Sequence, residues 1–439
     1  MERAQWRGRL YPVIWGGLLM AMAGAQSRAR AGEAQGEPKA LERNAFVAMV
    51  LRRHPELEAL RQRAKAESQG VRAEDALPAP ELGVEIWNLP LARPYAFRDA
   101  DMYMAELRQT FPAPGTRAAL ARARRHEGRA ALAEARLRAS VLAKEAAEAY
   151  ADYAHALRDH QTHREHGALL EGMRMVARSR YVTAGSSLAD LAKLEVELAR
   201  VQQALLRAEG EGKRAQAAMN LMLGRPAAAV LALPAEGLSR TIRLSDEALL
   251  QGALRHRGDL QAAQHMARAA QARAQGQSFA ARRPEFMVGL GYWQMPQMRA
   301  GMGVKASMSL PWLWGRARAE ARMGEALAQA AEDDRHAVAR QIRIEIGVVC
   351  ARIAALEREW QRLQTSTLPA AKRAVEALQS SYVTGRSSLL EWLDAARVVL
   401  ETRMEATDLE AEIAREIALL EQATGRLLPR VELRAEEAP

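Results

Sequence analysis

The sequence predicts a mainly helical chain that carries a smaller membrane β part and is built from two internal repeats. Three observations lead to this fold class: a phrase that occurs twice, a composition suited to long helices, and four segments with a two-residue period. Hydrophobic residues make up 49% of the 439 residues, but aromatic residues only 5%. A chain rich in Ala and poor in rings favours long, closely packed helices over a large β core.

The duplicated phrase defines the predicted organisation. "YVTAGSSL" begins at Tyr181 and "YVTGRSSL" begins at Tyr382, with six of eight positions identical. A Gly-Arg pair follows each phrase at the same offset, at Gly224 and again at Gly425. Such duplication predicts one structural unit built twice. We expect a first repeat at 41–224, a connector rich in Pro and Gly at 225–246, a second repeat at 247–426 and a tail at 427–439.

The N-terminus predicts export. Residues 1–25 combine three arginines, an apolar run and the small-residue exit Ala23-Gly24-Ala25, which is the pattern of a secretory signal peptide. After it, no stretch approaches 18 uninterrupted apolar residues, so apolar helices would not anchor the chain. A soluble exported protein and a β-barrel both remain open at this point. The net charge of +10 comes from Arg interspersed with Glu, which indicates solvated helix faces and no nucleic-acid partner.

Two pairs of strands are predicted. In each half an opening helix runs into proline, at Pro78 or at Pro284, and the pattern then changes to period two. The predicted strands are 81–88 and 102–111 in the first half, and 285–293 and 302–310 in the second. Apolar residues alternate with small or polar ones over about ten residues, which is typical of a strand between lipid and water. One such strand alone would equally suit a soluble sheet, but four in two matched pairs favour the membrane.

Each strand pair is followed by a predicted long helix, a turn and a returning helix. About 70 residues of helix would span roughly 100 Å at 1.5 Å per residue. Pro369 predicts a kink in the second long helix. The duplicated phrase marks the two turns, where Gly185 and Gly385 permit the reversal and Ser187 and Ser388 cap the next helix.

These features together resemble the outer-membrane efflux protein family, the TolC-like exit ducts of tripartite pumps in Gram-negative bacteria. The resemblance lies in "HPEL" from His54, the twin strand pairs, the "YVT" turns and "NLMLGRP" from Asn220. The strand exits "FPAPGTRAA" and "LPWLWGRARAEA" are most similar to the branch that serves heavy-metal pumps.

The resemblance implies a location, an assembly and partners. The protein would lie in the outer membrane and extend into the periplasm as a homotrimer. Each chain would give four strands to a 12-stranded β-barrel that continues into a long periplasmic α-helical tube. It would conduct passively, with a periplasmic adaptor protein and an inner-membrane transporter of the resistance–nodulation–division type as partners, and outer-membrane lipid around the barrel.

The resemblance also assigns a periplasmic gate and a docking surface. The gate positions are Glu391 and Asp394, with Asp190 as the matching acid of the first half. Three copies of Glu391 and Asp394 would place six carboxylates near one axis, where they would attract cations. The alternative is a pair of solvated helix charges. The adaptor-docking turns are Gly185 and Ser186 in the first half, and Gly385 and Arg386 in the second, unless these are plain structural turns.

The remaining candidates concern metals and catalysis. His155, His160, His163 and His166 lie within one sector of a helix, and the last three are candidate metal ligands, although most helical His clusters face water. A methionine group, Met295, Met298 and Met302, lies in a predicted surface loop. We expect no cofactor and no enzymatic activity, because "HREH" lacks zinc-protease spacing and no phosphate-binding loop is present. Alternative functions are a duct for protein secretion or organic toxicants, and a soluble exported coiled-coil scaffold or adaptor.

Overall fold

The computed structural model describes residues 40–432, apart from residues 90, 94, 183–185, 236–237, 239 and 297. The predicted signal peptide at 1–25 and residues 433–439 of the predicted tail lie outside the described residues.

The two halves of the chain show the same order of elements. The first half contains α1 Arg43–Arg53, α2 Pro55–Asp75, β1 Glu81–Trp87, β2 Met102–Phe111, α3 Thr116–Val182 and α4 Leu188–Met222. The second half contains α5 Asp246–His256, α6 Gly258–Arg282, β4 Phe286–Gln294, β5 Gly301–Met308, α7 Arg316–Arg362, α8 Leu368–Val383 and α9 Leu389–Thr424. A short β3, Arg240–Thr241, pairs antiparallel with β6, Val431–Glu432. The mainly helical fold with four principal strands is confirmed.

The four strands form one antiparallel sheet in the order β1-β2-β4-β5. Their ends lie within two residues of the predicted bounds. Leu107 of β2 pairs with Leu82 on one side and with Leu290 on the other, and Leu290 pairs with Val304. Because side chains alternate along a strand, this register places the apolar set of all four strands on one face.

The apolar face of the sheet is exposed in the single chain. The side chains of Leu82 and Val304, at its two outer strands, are 74% and 77% exposed. The opposite face carries glycines and charged residues, and there Trp293 covers Gly301 and Gly303. A Cβ added at Gly303 would lie 2.6 Å from the Trp293 ring, so the two glycines make room for the indole.

Proline shapes the second long helix. Directly before Pro369, residues Leu363–Thr367 form a π-helical segment, in which the N–H of Leu368 donates to the carbonyl of Leu363. Proline has no N–H, so a regular α-helical bond to the carbonyl four residues earlier is unavailable, and the wider turn accommodates the loss. The predicted kink position is therefore a π-helical segment between α7 and α8.

Small residues allow the helices to lie close together. Helices α3 and α6 pack against each other and both contain many buried alanines, among them Ala119, Ala130 and Ala133 on α3 and Ala262 and Ala269 on α6. A Cβ added at Gly276 of α6 would lie 3.4 Å from the Cβ of Ala119. Larger apolar side chains gather in separate clusters, one around Ile346, Trp360 and Ile413, and one near the helical turns around Leu170, Leu194 and Trp392. Among the described residues, no helix combines the length and apolarity needed to cross a membrane.

A buried charge network fixes the far end of α9. The carboxylate of Glu421 forms an ion pair with Arg43 from the start of α1, and its Oε2 lies 3.3 Å from Nη2 of Arg430. Its Oε1 accepts from the backbone N–H of Leu428 at 3.2 Å. All three charged side chains are about nine-tenths buried or more. The network therefore joins the start of the first half to the end of the second.

Glycine at the start of α6 provides a test of the close helix packing. A Cβ added at Gly258 would lie 2.6 Å from the carbonyl oxygen of Ala133 and from the backbone nitrogen of Leu137, both in α3. We expect Gly258→Ala to destabilise the protein by about 1–3 kcal/mol, because backbone atoms must shift.

The matched control is Gly210→Ala on α4, where nothing lies within 4 Å of the added carbon. This change should stabilise the helix by up to about 1 kcal/mol. Thermal denaturation of the purified variants should move their midpoints in opposite directions, and equal shifts would contradict the packing argument.

Candidate gate and docking tip

The two helical turns of the chain lie side by side and form one tip. The hydroxyl of Tyr382, at the end of α8, donates to Oγ of Ser186 at 3.2 Å. Arg180 of α3 donates to the carbonyl of Tyr382 and lies with its guanidinium carbon 4.7 Å from the centroid of that ring. Trp392 of α9 also packs against the Tyr382 ring, with the two ring centroids 5.5 Å apart. Tyr382 thus joins the second turn to the first.

The second turn has the hydrogen bonds of a Schellman motif. The N–H of Arg386 donates to the carbonyl of Ser381 at 2.9 Å, and the N–H of Gly385 donates to that of Tyr382 at 3.0 Å. Gly385 has φ +77°, a conformation that glycine adopts without steric cost. The guanidinium Nε of Arg386 donates to Oγ1 of Thr384 at 3.1 Å. Gly185, the matching glycine of the first turn, lies outside the described residues.

Two of the three predicted gate acids also cap their helices. The carboxylate of Glu391 accepts from the N–H of Ser388 at 2.8 Å, while Oγ of Ser388 accepts from the N–H of Glu391 at 3.2 Å. Asp190 and Ser187 form the same reciprocal pair at 3.2 and 3.1 Å. These are capping boxes, which stabilise helix starts. The spacing Ser-x-x-Asp/Glu was visible in the sequence and could have revealed this role.

The third predicted gate acid is part of a salt-bridge network. Oδ1 of Asp394 lies 3.2 Å from Nη1 of Arg397, whose other terminal nitrogen lies 2.5 Å from Oε1 of Glu197 on α4. Glu197 also pairs with Arg200 at 2.8 Å. The network therefore links the returning helices α4 and α9, and it leaves the Asp394 side chain 62% exposed.

The predicted gate acids of α9 face away from the core of the chain. Leu389, Trp392 and Leu393 are almost fully buried, whereas Glu391 and Asp394 between them are exposed. The apolar stripe of the helix contacts this chain, and the two acids face solvent in the single chain.

Two of the four histidines of the predicted cluster are buried in the helix packing. His163 and His166 are buried, and Nε2 of His163 lies 3.6 Å from Oδ1 of Asp159. Nε2 of His155 instead contacts Asp408 of α9 at 2.7 Å. Within the described part of the chain, no three His, Cys, Asp or Glu side chains lie close enough to hold a metal ion together. In the described structure, His160, His163 and His166 therefore do not form a metal site of three ligands.

The methionine group is divided between two elements. Met302, expected in the surface loop, lies in β5 and pairs with Tyr292, because the strand begins at Gly301. Met298 is 68% exposed in the loop before the strand.

Burial strongly perturbs His166. Loss of water contact, together with the charges of His163, Arg397 and Arg403, lowers the pKa of its imidazole to about 4, although Glu197 opposes this shift. The folded protein thus holds this imidazole neutral at a pH where the unfolded chain, with a pKa near 6.5, begins to bind a proton. Its contribution to stability is fully present above pH 6.5 and is lost as the pH falls towards 4.

We expect the melting temperature to fall less between pH 7 and pH 4.5 in His166→Gln than in the unmodified protein. The difference should amount to a few degrees, since glutamine takes up no proton. His160→Gln is the matched control, because His160 lies on the same helix but is less buried. Parallel pH profiles for His166→Gln and the unmodified protein would show that His166 does not titrate as described.

Residues 249–426 match the family model of the outer membrane efflux proteins. Comparison with curated protein sequences gives no match.

Solved structures of outer membrane channels are similar over nearly the whole chain. The structure of CusC has a TM-score of 0.71 and 20% sequence identity, over 88% of this chain and 92% of its own. Conformational changes accompany the folding of CusC and the formation of its transmembrane channel. VceC of Vibrio cholerae, an outer membrane protein, has a TM-score of 0.70 and 18% identity over 88% and 96%. The open-state MtrE channel of Neisseria gonorrhoeae has a TM-score of 0.70 and 17% sequence identity, over 87% of this chain and 88% of its own. At these identities the likeness establishes a shared fold.

Proposed function

We propose that the chain is one subunit of a homotrimeric exit duct. Residues 249–426 match the family model of the outer membrane efflux proteins, and the described chain has the fold of solved outer membrane channels. The duct lies in the outer membrane, extends into the periplasm and passively conducts the cargo of a tripartite efflux system. Its work is conduction rather than catalysis.

The observation that carries this proposal is the sheet. Its apolar face is exposed, and its outer strands β1 and β5 each have an edge that no described strand pairs with. Lipid tolerates an apolar face but not an open edge, because unpaired N–H and C=O groups there have no water to bond. Three copies would close a ring of 12 strands and satisfy every edge, which supports the trimer.

The helices supply the periplasmic part of the duct. The 67 residues of α3 would span about 100 Å at 1.5 Å per residue. Its end at Val182 and the start of α4 are at the tip, so the tip lies far from the sheet. In this arrangement the chain reaches from the membrane towards a partner in the periplasm.

The tip is the proposed docking surface for a periplasmic adaptor protein. Beside the turn residues Ser186, Gly385 and Arg386, the side chains of Val182 and Leu188 are 82% and 67% exposed. Exposed apolar side chains next to two well-capped turns suit the turn of a partner's helical hairpin. An inner-membrane transporter of the resistance–nodulation–division type would supply the energy.

Heavy-metal cations are the proposed cargo. The strand exits of the sequence favour this branch, and carboxylates at a constriction would attract cations. The exposed positions of Glu391 and Asp394 are compatible with such a ring. A strain that lacks the gene should become sensitive to divalent or monovalent metal ions. Sensitivity only to organic compounds, or loss only of a secreted protein, would favour those cargoes instead.

The assembly is tested by membrane fractionation and gel electrophoresis. We expect the protein in the outer membrane fraction, migrating as a trimer when unheated and as a monomer after boiling, because closed strand pairing resists detergent. A monomeric periplasmic species would reject the duct and favour a soluble scaffold.

The gate is tested by separating the charge of Glu391 from its capping role. Glu391→Gln keeps a side chain that can cap the helix, whereas Glu391→Ala loses both the charge and the cap. In planar bilayers, Glu391→Gln combined with Asp394→Asn should lose the preference for cations. The cost in stability should be at most about 1 kcal/mol, because the ion pair of Asp394 with Arg397 is exposed. Glu391→Ala should also lose about 1 kcal/mol of stability.

Glu401→Gln is the matched control for the gate. Glu401 is exposed on the same helix α9, but lies almost three turns from Glu391. The Glu401→Gln channel should retain the cation preference of the unmodified channel. If the Glu391 and Asp394 variant retains that preference too, these carboxylates do not line the constriction.

A further inference from the structure

We propose that the groove between the end of α6 and the start of α7 binds the headgroup of an anionic phospholipid in the periplasm-facing leaflet. This inference rests on the proposed function, because it requires the sheet to lie in a membrane. The groove is next to the sheet, since α6 leads into β4 and α7 follows β5.

The groove is large enough for a headgroup and is basic. It has a volume of about 540 Å³. Three arginines lie on its walls, and its lining contains one acid, Glu325, among the described residues. The full lining is Ser278, Ala281, Arg282, Trp312, Arg318, Ala321, Arg322 and Glu325. Guanidinium groups bind phosphate oxygens in pairs of parallel hydrogen bonds, so a phosphodiester is the ligand that this set favours.

The three arginines of the groove have fewer interactions within the chain than two other arginines nearby. Nearby Arg283 donates to the carbonyl of Pro114 at 2.6 Å, and Arg316 pairs with Glu320 at 2.9 Å. In contrast, none of the groove's three arginines has an acidic side chain within ion-pair distance in the described chain. Arg318 donates only to the carbonyl of Trp312, at 3.3 Å.

The position of Arg318 is electrostatically unfavourable without an anion. Helix α7 begins at Arg316 and has no acidic residue in its first turn. The start of a helix carries a partial positive charge, which favours anions and disfavours a cation such as Arg318 in the first turn. Arg322 lies one turn further along the same helix and adds a second positive charge to the groove. A bound phosphate group would neutralise this accumulation of positive charge.

Aromatic side chains identify the source of the phosphate as a lipid. Between β5 and α7, Trp312, Leu313 and Trp314 are 40%, 53% and 83% exposed. Tryptophan is enriched at the level of lipid headgroups, where its ring is apolar and its N–H remains wet. Trp312 lines the groove itself, so an aromatic side chain and the three arginines share one surface beside the sheet. A free phosphate ion has no apolar part that would contact Trp312, Leu313 and Trp314.

Native mass spectrometry of the detergent-extracted protein tests the inference with phosphatidylglycerol and phosphatidylcholine as probes. We expect one retained phosphatidylglycerol per chain at concentrations where phosphatidylcholine is not retained. Each arginine near an anionic lipid contributes roughly a factor of five, so Arg282→Gln with Arg318→Gln and Arg322→Gln should weaken retention on the order of 100-fold. The single variants Arg282→Gln and Arg322→Gln should each lose about fivefold.

The control variant carries the same change at three exposed arginines of the helices α2, α4 and α8: Arg63→Gln, Arg207→Gln and Arg373→Gln. It should retain phosphatidylglycerol as the unmodified protein does. Equal retention by the groove variant and this control would overturn the inference. Displacement of the lipid by millimolar inorganic phosphate would also overturn it, because the site would then be one for free phosphate.

The same samples separate this inference from the proposed function. If the unmodified protein is trimeric in the outer membrane but the groove variant retains the lipid unchanged, only the headgroup site is rejected. If the unmodified protein is soluble and monomeric, the duct and the headgroup site are both rejected.

Discussion

The pairing of β2 with β4 is the contact on which the rest of the structure depends. It runs from Tyr103 opposite Gln294 to Phe111 opposite Phe286 and is the strand contact that joins the two halves. A slip of one residue would turn the apolar side chains of one half to the opposite face of the sheet. The register therefore unites two separate hairpins into one sheet with a single apolar face. The same pairing brings the helices that flank the strands, α3 and α6, against each other.

The helices pack closely because small residues, rather than large ones, lie where they meet. Alanine faces and Gly258 let α3 and α6 approach almost to backbone contact. Such packing buries little apolar area per residue, so charged contacts at the ends of the helices add specificity. The network of Glu421 with Arg43 and Arg430 joins the start of the first half to the end of the second. Breaking a buried pair of this kind is costly because it leaves an uncompensated charge.

Charged residues serve structure and proposed function at the same positions. Glu391 caps α9 and also belongs to the acidic stripe of the proposed gate. At the other end of the helices, Arg283 and Arg316 are engaged within the chain, whereas the groove arginines beside Trp312 are available to an external anion. The molecule thus places the exposed acids Glu391 and Asp394 near its tip and a groove lined by three arginines beside its sheet.

The sequence by itself determined the features that depend on local periodicity and local turn chemistry. Period two predicted all four strands to within two residues, Pro369 marked the irregular segment, and the duplicated phrase marked both turns. The capping role of Glu391 was equally local and was missed only because its carboxylate was assigned to the gate. Only the tertiary structure decided which distant residues meet. Examples are the contact of Tyr382 with Ser186, the burial of His166 and Glu421, and the grouping of Arg282 with Arg322. Each of them depends on strand register and helix packing between residues far apart in the chain. A periodic sequence pattern contains no information about such distances.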